Sequence, residues 1–534
     1  MKQVNRILPA IQRRWAHYQN DHRIQVMAKK VQCTPLQDDG APVLFFNATT
    51  RLSGLSLNAG FSLLTSWALR NAGVPVMHFV CDAGMSRCVL GTRQDDPSHK
   101  PPCTACKAQS RVCFHTTPHR RFRFHIDNVL NNAIKDLSLV ELETFTYEDI
   151  PLGQLVLPSL RWILRRHHLM DDEPTRYLFR QYIISASNVG QKFLAMLESV
   201  TPRCVVVFNG QFFPEATIRY LAMKKGIRVI SHEVGLMPFC AFFTDGEATA
   251  YPIDIPEGLE LNEMQNARLD GYLSNRFRGH FSMAGIQFWP EIRNLSPEFI
   301  EKSRNFKQVV PIFTNVVFDT SQGHANTLFS DMFSWLNEVL EVIKQNPETL
   351  FVIRAHPDEL RQGKESRESV ATWASEKKIT ELPNVLFINA TEFFSSYELI
   401  QLSKFVMVYN STIGMEASIL GKPVLCAGKA RFTQLATVFM PKDKAEYIYM
   451  LKEFLEDESL EAPAEHRINA RKFLYYQLFC SSLPFSEFLE EDHVWRGYVR
   501  LKQFPLSTLT PEGSHTIRVI LDGILKQTDF LLEP

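Results

Sequence analysis

Short, continuously apolar runs alternate with helical segments along most of this chain, and that alternation limits its fold more than any other feature. In the first half the runs are VLFFNA (43–48), VPVMHFV (74–80), CVVVFN (204–209) and IRVISHE (227–233). In the second half they are QVVPIFTNVVF (308–318), TLFVIRAH (349–356), NVLFIN (384–389), FVMVYN (405–410) and PVLCAG (423–428). A strand apolar on both faces must be covered on both faces, which is the condition of a parallel sheet packed between helices. The intervening segments, such as FSLLTSWALRNAG and PEATIRYLAMKKG, end on glycine, a usual helix stop. Two such series predict two doubly wound α/β domains.

The join is expected near 285–305, where FWPEIRNLSPEFIEKS loses strand character. The predicted organisation is a first domain over 1–295, a second over 296–435 and a helical C-terminal extension over 436–534 packing across the domains. Lys+Arg and Asp+Glu are balanced at 58 each, which excludes a broad electrostatic footprint for nucleic acid. No apolar run approaches the roughly 18 residues of a membrane span. The first twenty residues are basic but lack the apolar core of a secretory signal, so a cytoplasmic location is expected. The Asn-x-Ser/Thr triplets at Asn47, Asn389 and Asn410 then carry no glycan. Ile7, Ile11 and Trp15 fall at helical spacing beside Arg6, Arg13 and Arg14. An exposed helix docked on the body is the preferred reading, and peripheral contact with the inner membrane face the alternative.

In open α/β sheets the ligand sits beyond the carboxyl ends of the strands. Five groups of polar residues occupy such ends. The run ending at Asn410 continues into Ser411, Thr412 and Gly414 at a predicted helix start, with Glu416 one turn in. Free N–H groups and small hydroxyls there suit a phosphate, and the carboxylate suits a ribose diol. Helix capping alone accounts equally well for Ser and Thr at that place. LFVIRAHP delivers Arg354 and His356, both donors for phosphate oxygens. FTNVVFDTSQG leaves Asn315, Asp319, Thr320 and Ser321 at a third end. In the first domain, Asn209, Gly210 and Glu215 follow one strand, and His232, Glu233 and Gly235 follow another. His232 with Glu233 is a candidate base pair, because imidazole titrates near neutrality and a carboxylate can orient it. The loop NATTRLSGLSLNAG adds Arg51 and Asn58 as candidate acceptor-side groups, with Asn209.

RAHP, followed by YNSTIGMEASILGKPVLCAG and NARKFLYYQLFCSSLPFSEFL, resembles the capsule polysaccharide biosynthesis family of glycosyltransferases, which includes Kdo transferases. The chain is more distantly similar to GT-B sialyltransferases and teichoic-acid glycerophosphotransferases. The resemblance implies GT-B architecture, two facing Rossmann-like domains with the donor mainly on the second. It also implies that His356, Ser411 and Thr412 hold donor phosphate, that Glu416 holds ribose, and that His232 acts as base. The expected function is transfer of a sugar from a nucleotide donor to a surface or capsular polysaccharide or a glycolipid, without a catalytic metal. A nucleotide-sugar epimerase and a non-catalytic glycan- or nucleotide-binding scaffold are the competing readings.

Five of the ten cysteines fall within 81–113, spaced C-x6-C-x14-C-x2-C-x6-C. A Cys-x-x-Cys knuckle with two upstream thiols can close a tetrahedral zinc site. Cys81, Cys88, Cys103 and Cys106 are the preferred ligands and Cys113 the spare. An iron–sulfur cluster is the runner-up.

Overall fold

The computed structural model describes residues 4–37, 40–48, 54–278, 282–283, 286–287, 293–494 and 497–533; for 4–11, 282–283 and 286–287 it describes the backbone alone. Arg51 lies outside the described residues, as do the side chains of Ile7 and Ile11.

The chain forms two compact units. The first comprises 1–163, 169–251 and 478–534, the second 164–168 and 252–477. The sequence places a boundary at 295 and a separate part at 436–534, whereas the contacts divide the chain after Tyr251 and send 478–534 back to the first unit. The physical reason is burial. Phe485, Phe488, Leu489, Ile517, Ile520 and Ile524 share one apolar core with Phe45, Phe61 and Trp67, and the Phe485 ring lies 4.7 Å from that of Phe61.

In the first unit, β1 (Val43–Asn47), β2 (Val76–Cys81), β3 (His119–Phe122), β4 (Cys204–Phe208), β5 (Arg228–Val234) and β6 (Cys240–Asp245) stand in the order β6-β5-β4-β1-β2-β3. Every pair is parallel except β5–β6. The short strand Leu483–Pro484 adds to the free side of β6. β1 is buried at all five positions, as its all-apolar start requires. The helix Leu57–Asn71 begins where Ser56 accepts the N–H of Ala59 at 3.2 Å.

In the second unit, β7 (Gln308–Phe313), β8 (Thr349–Arg354), β9 (Val385–Ile388), β10 (Val406–Val408) and β11 (Val424–Cys426) form a wholly parallel sheet ordered β9-β8-β7-β10-β11. Helix Met332–Gln345 packs Trp335, Leu336, Val339, Leu340 and Ile343 into the core at helical spacing. The buried Trp335 indole donates to the Tyr447 hydroxyl at 2.8 Å.

Both sheets therefore reverse direction of winding at one place, between β1 and β4 in the first and between β7 and β10 in the second. A crevice opens beyond the strand ends at such a switch.

Candidate functional site

The sequence-named donor residues come together in the second unit. A pocket beyond the ends of β7, β8 and β10 is lined by Phe313 and Thr314, by Arg354 to Pro357, and by Ser411 to Ile413 with Glu416. β8 and β10 are not neighbours but flank β7, so their end loops converge across the switch point.

Each group arrives in a definite chemical state. His356 accepts the backbone N–H of Asp358 on Nδ1 at 3.2 Å. In the neutral ring that bond leaves the proton on Nε2, so His356 is a donor there. Burial, first, and the Arg354 charge depress its pKa, against the pull of Asp358 and Asp319. Arg354 is 5% exposed and gives one N–H to the Phe394 carbonyl at 2.6 Å. Burial lowers its pKa to about 10, which leaves it cationic at neutral pH. Ser411 is buried. Thr412 occupies the N-cap of helix Ile413–Ile419, yet its side chain makes no capping hydrogen bond. Capping therefore does not account for that threonine. The helix has only seven residues, so any anion affinity rests on local donors more than on a macrodipole.

Four named residues do different work. Glu416 is 2% exposed, and both its oxygens are engaged: Oε1 accepts Arg276 at 2.6 Å and Oε2 accepts the Tyr397 hydroxyl at 2.5 Å. Gly414 is absent from the pocket lining, and a Cβ there would meet Val408 Cγ2 at 2.9 Å, so its bareness lets the helix pack on β10. Asn410 accepts from Gln322 at 3.3 Å and Asp319 from the N–H of Ser321 at 3.0 Å; neither lines the pocket. Arg276, Phe393, Phe394 and Tyr397 complete the walls and escaped the sequence reading. Arg276 stands on a polar surface-type helix, Glu263–Phe277, with no motif to mark it.

At the strand ends of the first unit, Glu233 is the hub. Its Oε1 accepts Asn58 Nδ2 at 3.0 Å and the N–H of Val234 at 2.8 Å, and its Oε2 accepts Asn209 Nδ2 at 2.7 Å. Asn209 holds φ at +62°, a left-handed conformation asparagine tolerates, and its Oδ1 accepts the N–H groups of Gln211 and Phe212. The sequence thus named three residues that meet. His232 is different. It is 1% exposed, lies with its ring 5.3 Å from Phe243, has no hydrogen-bond partner on either nitrogen among the described residues, and is pushed down to about 3 by burial. The ring is closed off from solvent in this structure. Glu215 is buried beside Ala48, at the end of β1, and burial raises its carboxyl to about 8 against the Ala48 backbone bond.

Among the described residues, no three of the cysteine sulfurs lie within 4.8 Å of one another. Cys81 ends β2 and its sulfur accepts the N–H of Gly84 at 3.2 Å. Cys103 and Cys106 open the helix Cys103–Phe114, one turn apart. The Cys81 thiol is pushed up by burial, and further by the nearness of Cys106, Cys88 and Cys103. Burial raises Cys88 to about 12 against the N–H groups of Gly91 and Leu90. Cys113 is fully buried and faces Gln109.

Residues 291–437 match the family described as capsule polysaccharide biosynthesis protein. Protein FixF of Sinorhizobium fredii (strain NBRC 101917 / NGR234) is 28% identical over 264 residues, 48% of this chain, and the chain spans 56% of that relative's length. Among solved structures, the β-Kdo 2,4-transferase KpsC of Thermosulfurimonas dismutans is 13% identical with a TM-score of 0.35, over 52% of this chain and 80% of that one. UDP-GlcNAc 2-epimerase from Neisseria meningitidis is 17% identical with a TM-score of 0.26, over 55% and 80%.

Proposed function

We propose, from the match of residues 291–437 to the capsule polysaccharide biosynthesis family, that this protein is a glycosyltransferase. It takes a nucleotide-activated sugar in the second-unit pocket and passes the sugar to a surface or capsular polysaccharide or a glycolipid. One observation carries the reading: a permanent cation, a neutral imidazole donor and two hydroxyl-bearing residues, Arg354, His356, Ser411 and Thr412, line one pocket at a sheet switch point. That set suits a phosphate that gains charge as it leaves, so electrostatic stabilisation needs no catalytic metal. Arg276, Glu416 and Tyr397 form the wall toward the nucleoside, and a ribose hydroxyl would use a remaining lone pair of Glu416.

Glu233 is the acceptor base in this reading. Its support is the pair of asparagine amides that fix its carboxylate at the strand ends, together with the burial of His232. Cys81, Cys88, Cys103 and Cys106 hold a structural zinc, with an iron–sulfur cluster as the runner-up. The Cys-x-x-Cys spacing, the nearness of Cys106, Cys88 and Cys103 to Cys81, and the N–H groups aimed at Cys81 and Cys88 support this reading, in which a bound metal draws the sulfurs closer than they stand here. No helix among the described residues is long and apolar enough to cross a membrane. Helix Val4–Gln32 nonetheless exposes Trp15 and Tyr18, stacked at 5.8 Å, beside exposed Arg13 and Arg14. That stripe fits peripheral contact with an anionic bilayer, where a glycolipid acceptor would reside.

The test incubates the protein with nucleotide sugars of CMP, CDP, UDP and GDP, with and without a glycolipid or capsular oligosaccharide. Nucleotide release that depends on acceptor supports transfer. Conversion of the donor sugar without acceptor makes the protein an epimerase, and binding without turnover makes it a scaffold.

A further inference from the structure

A second cluster of ligating side chains lies in the second unit, outside the pocket. His167 and His168, from the short excursion 164–168, meet Asp331 at the start of helix Met332–Gln345. One ligand atom from each lies within 4.8 Å of the others. His168 Nε2 stands 3.6 Å from Asp331 Oδ2. That gap is long for a hydrogen bond but close to the roughly 3.3 Å between atoms bound tetrahedrally to one ion at 2.0–2.1 Å. The other face of the ring is fixed: Glu368 Oε1 accepts His168 Nδ1 at 2.6 Å, and Oε2 accepts the backbone N–H groups of His167 and His168 at 2.8 and 3.0 Å. A carboxylate on the far nitrogen of an imidazole is the usual outer support of a metal-bound histidine. Asp331 is itself held, with Oδ1 accepting the N–H of Ser334 at 2.9 Å and Oδ2 the Ser334 hydroxyl at 2.6 Å. His167 and Asp331 are buried, and the His168 side chain is 56% exposed, so an ion has a route in and room for a water as fourth ligand.

We propose that His167, His168 and Asp331 bind a divalent transition-metal ion of the zinc type, with Glu368 orienting His168. The ion ties residues 164–168 to the start of helix Met332–Gln345. Two imidazoles and one carboxylate suit zinc or cobalt and not calcium or magnesium, which take all-oxygen shells. Without the ion, a doubly protonated His168 is an ion-pair partner to Glu368 through Nδ1 and to Asp331 through Nε2. The metal displaces the Nε2 proton and leaves Nδ1–H on Glu368. The site is independent of the transferase reading.

Cobalt(II) titration followed by absorption tests it, because nitrogen and oxygen ligands give only weak visible bands whereas thiolates add strong near-ultraviolet charge transfer. Wild-type protein should take up about one Co2+ without charge transfer, by the three-ligand count, separately from any cobalt at the cysteines. His168→Ala should lose that uptake. Glu368→Gln keeps all three ligands and should bind about 10–100-fold more weakly, which serves if His168→Ala does not fold. A wild type with no such band, or a band unchanged in His168→Ala, makes the cluster an ion pair only. Unchanged affinity in Glu368→Gln removes Glu368 from the site.

Discussion

At the residue scale, the pocket and the buried titratable groups make separate claims. Phosphate affinity should fall about 10–100-fold in His356→Ala, since one hydrogen bond to a charged group contributes about 1.5–3 kcal/mol. Tyr397→Phe should weaken nucleoside binding while sparing inorganic phosphate, because it removes the hydroxyl that fixes the Glu416 carboxylate in the wall and touches no phosphate donor. Competition of phosphate and nucleotide on this variant checks the split. The histidine and the acid of the first unit pull stability in opposite directions with pH. Burial lowers His232 from 6.5 to about 3, so the unfolded chain takes up its proton first and stability falls as pH drops from about 6.5 toward 3. Burial raises Glu215 from 4.5 to about 8, so the unfolded chain loses its proton first and stability falls as pH rises from about 4.5 toward 8. Glu215→Gln should flatten that second slope in urea unfolding followed across pH. An unaltered slope would mean that Glu215 ionises in the fold as it does in the unfolded chain.

At the element scale, the continuous apolar strands were legible because burial on both faces leaves a one-dimensional trace. β3 was not, because its HRRF sequence is that of an edge strand with exposed Arg120 and Arg121. Nor was β6, which pairs antiparallel and follows a turn that breaks the strand–helix rhythm. The expected strand 308–318 stops at Phe313, where Thr314 turns its hydroxyl onto the Arg354 carbonyl at 2.9 Å and the chain enters the pocket wall. Arg354, His356 and Ser411 were readable as pocket-lining residues because each follows the end of a continuous apolar strand. Arg276 and Tyr397 were not, because they reach the pocket from helices whose local sequence serves a surface. Two element-scale outcomes follow. Tyr447→Phe strands the buried Trp335 N–H and should cost about 1–3 kcal/mol in denaturant unfolding. For the cysteine knuckle, elemental analysis should show about one zinc per chain that Cys103→Ser and Cys106→Ser lose, over and above any ion held at His167, His168 and Asp331. Folded wild-type protein free of zinc and iron would return the four thiols to plain packing.

At the scale of the whole molecule, the two α/β units were legible from the two strand series, but the return of 478–534 to the first unit was not. Local periodicity says that a segment is a helix and is silent on which of two cores its apolar face enters. Arg228 illustrates the tie. It holds Asp245 at 2.7 Å and donates to the carbonyls of Gly523 and Ile524 at the end of helix His515–Lys526. The central claim concerns the second unit, whose switch-point pocket is read as a nucleotide-phosphate site. Calorimetric titration of CMP, CDP, UDP and GDP into the wild type, His356→Ala and Ser411→Ala tests it most directly. One nucleotide should bind the wild type and lose about 10–100-fold in affinity in each variant, by the hydrogen-bond magnitudes above. Nucleotide binding of equal strength in all three proteins, or none in the wild type, would contradict it.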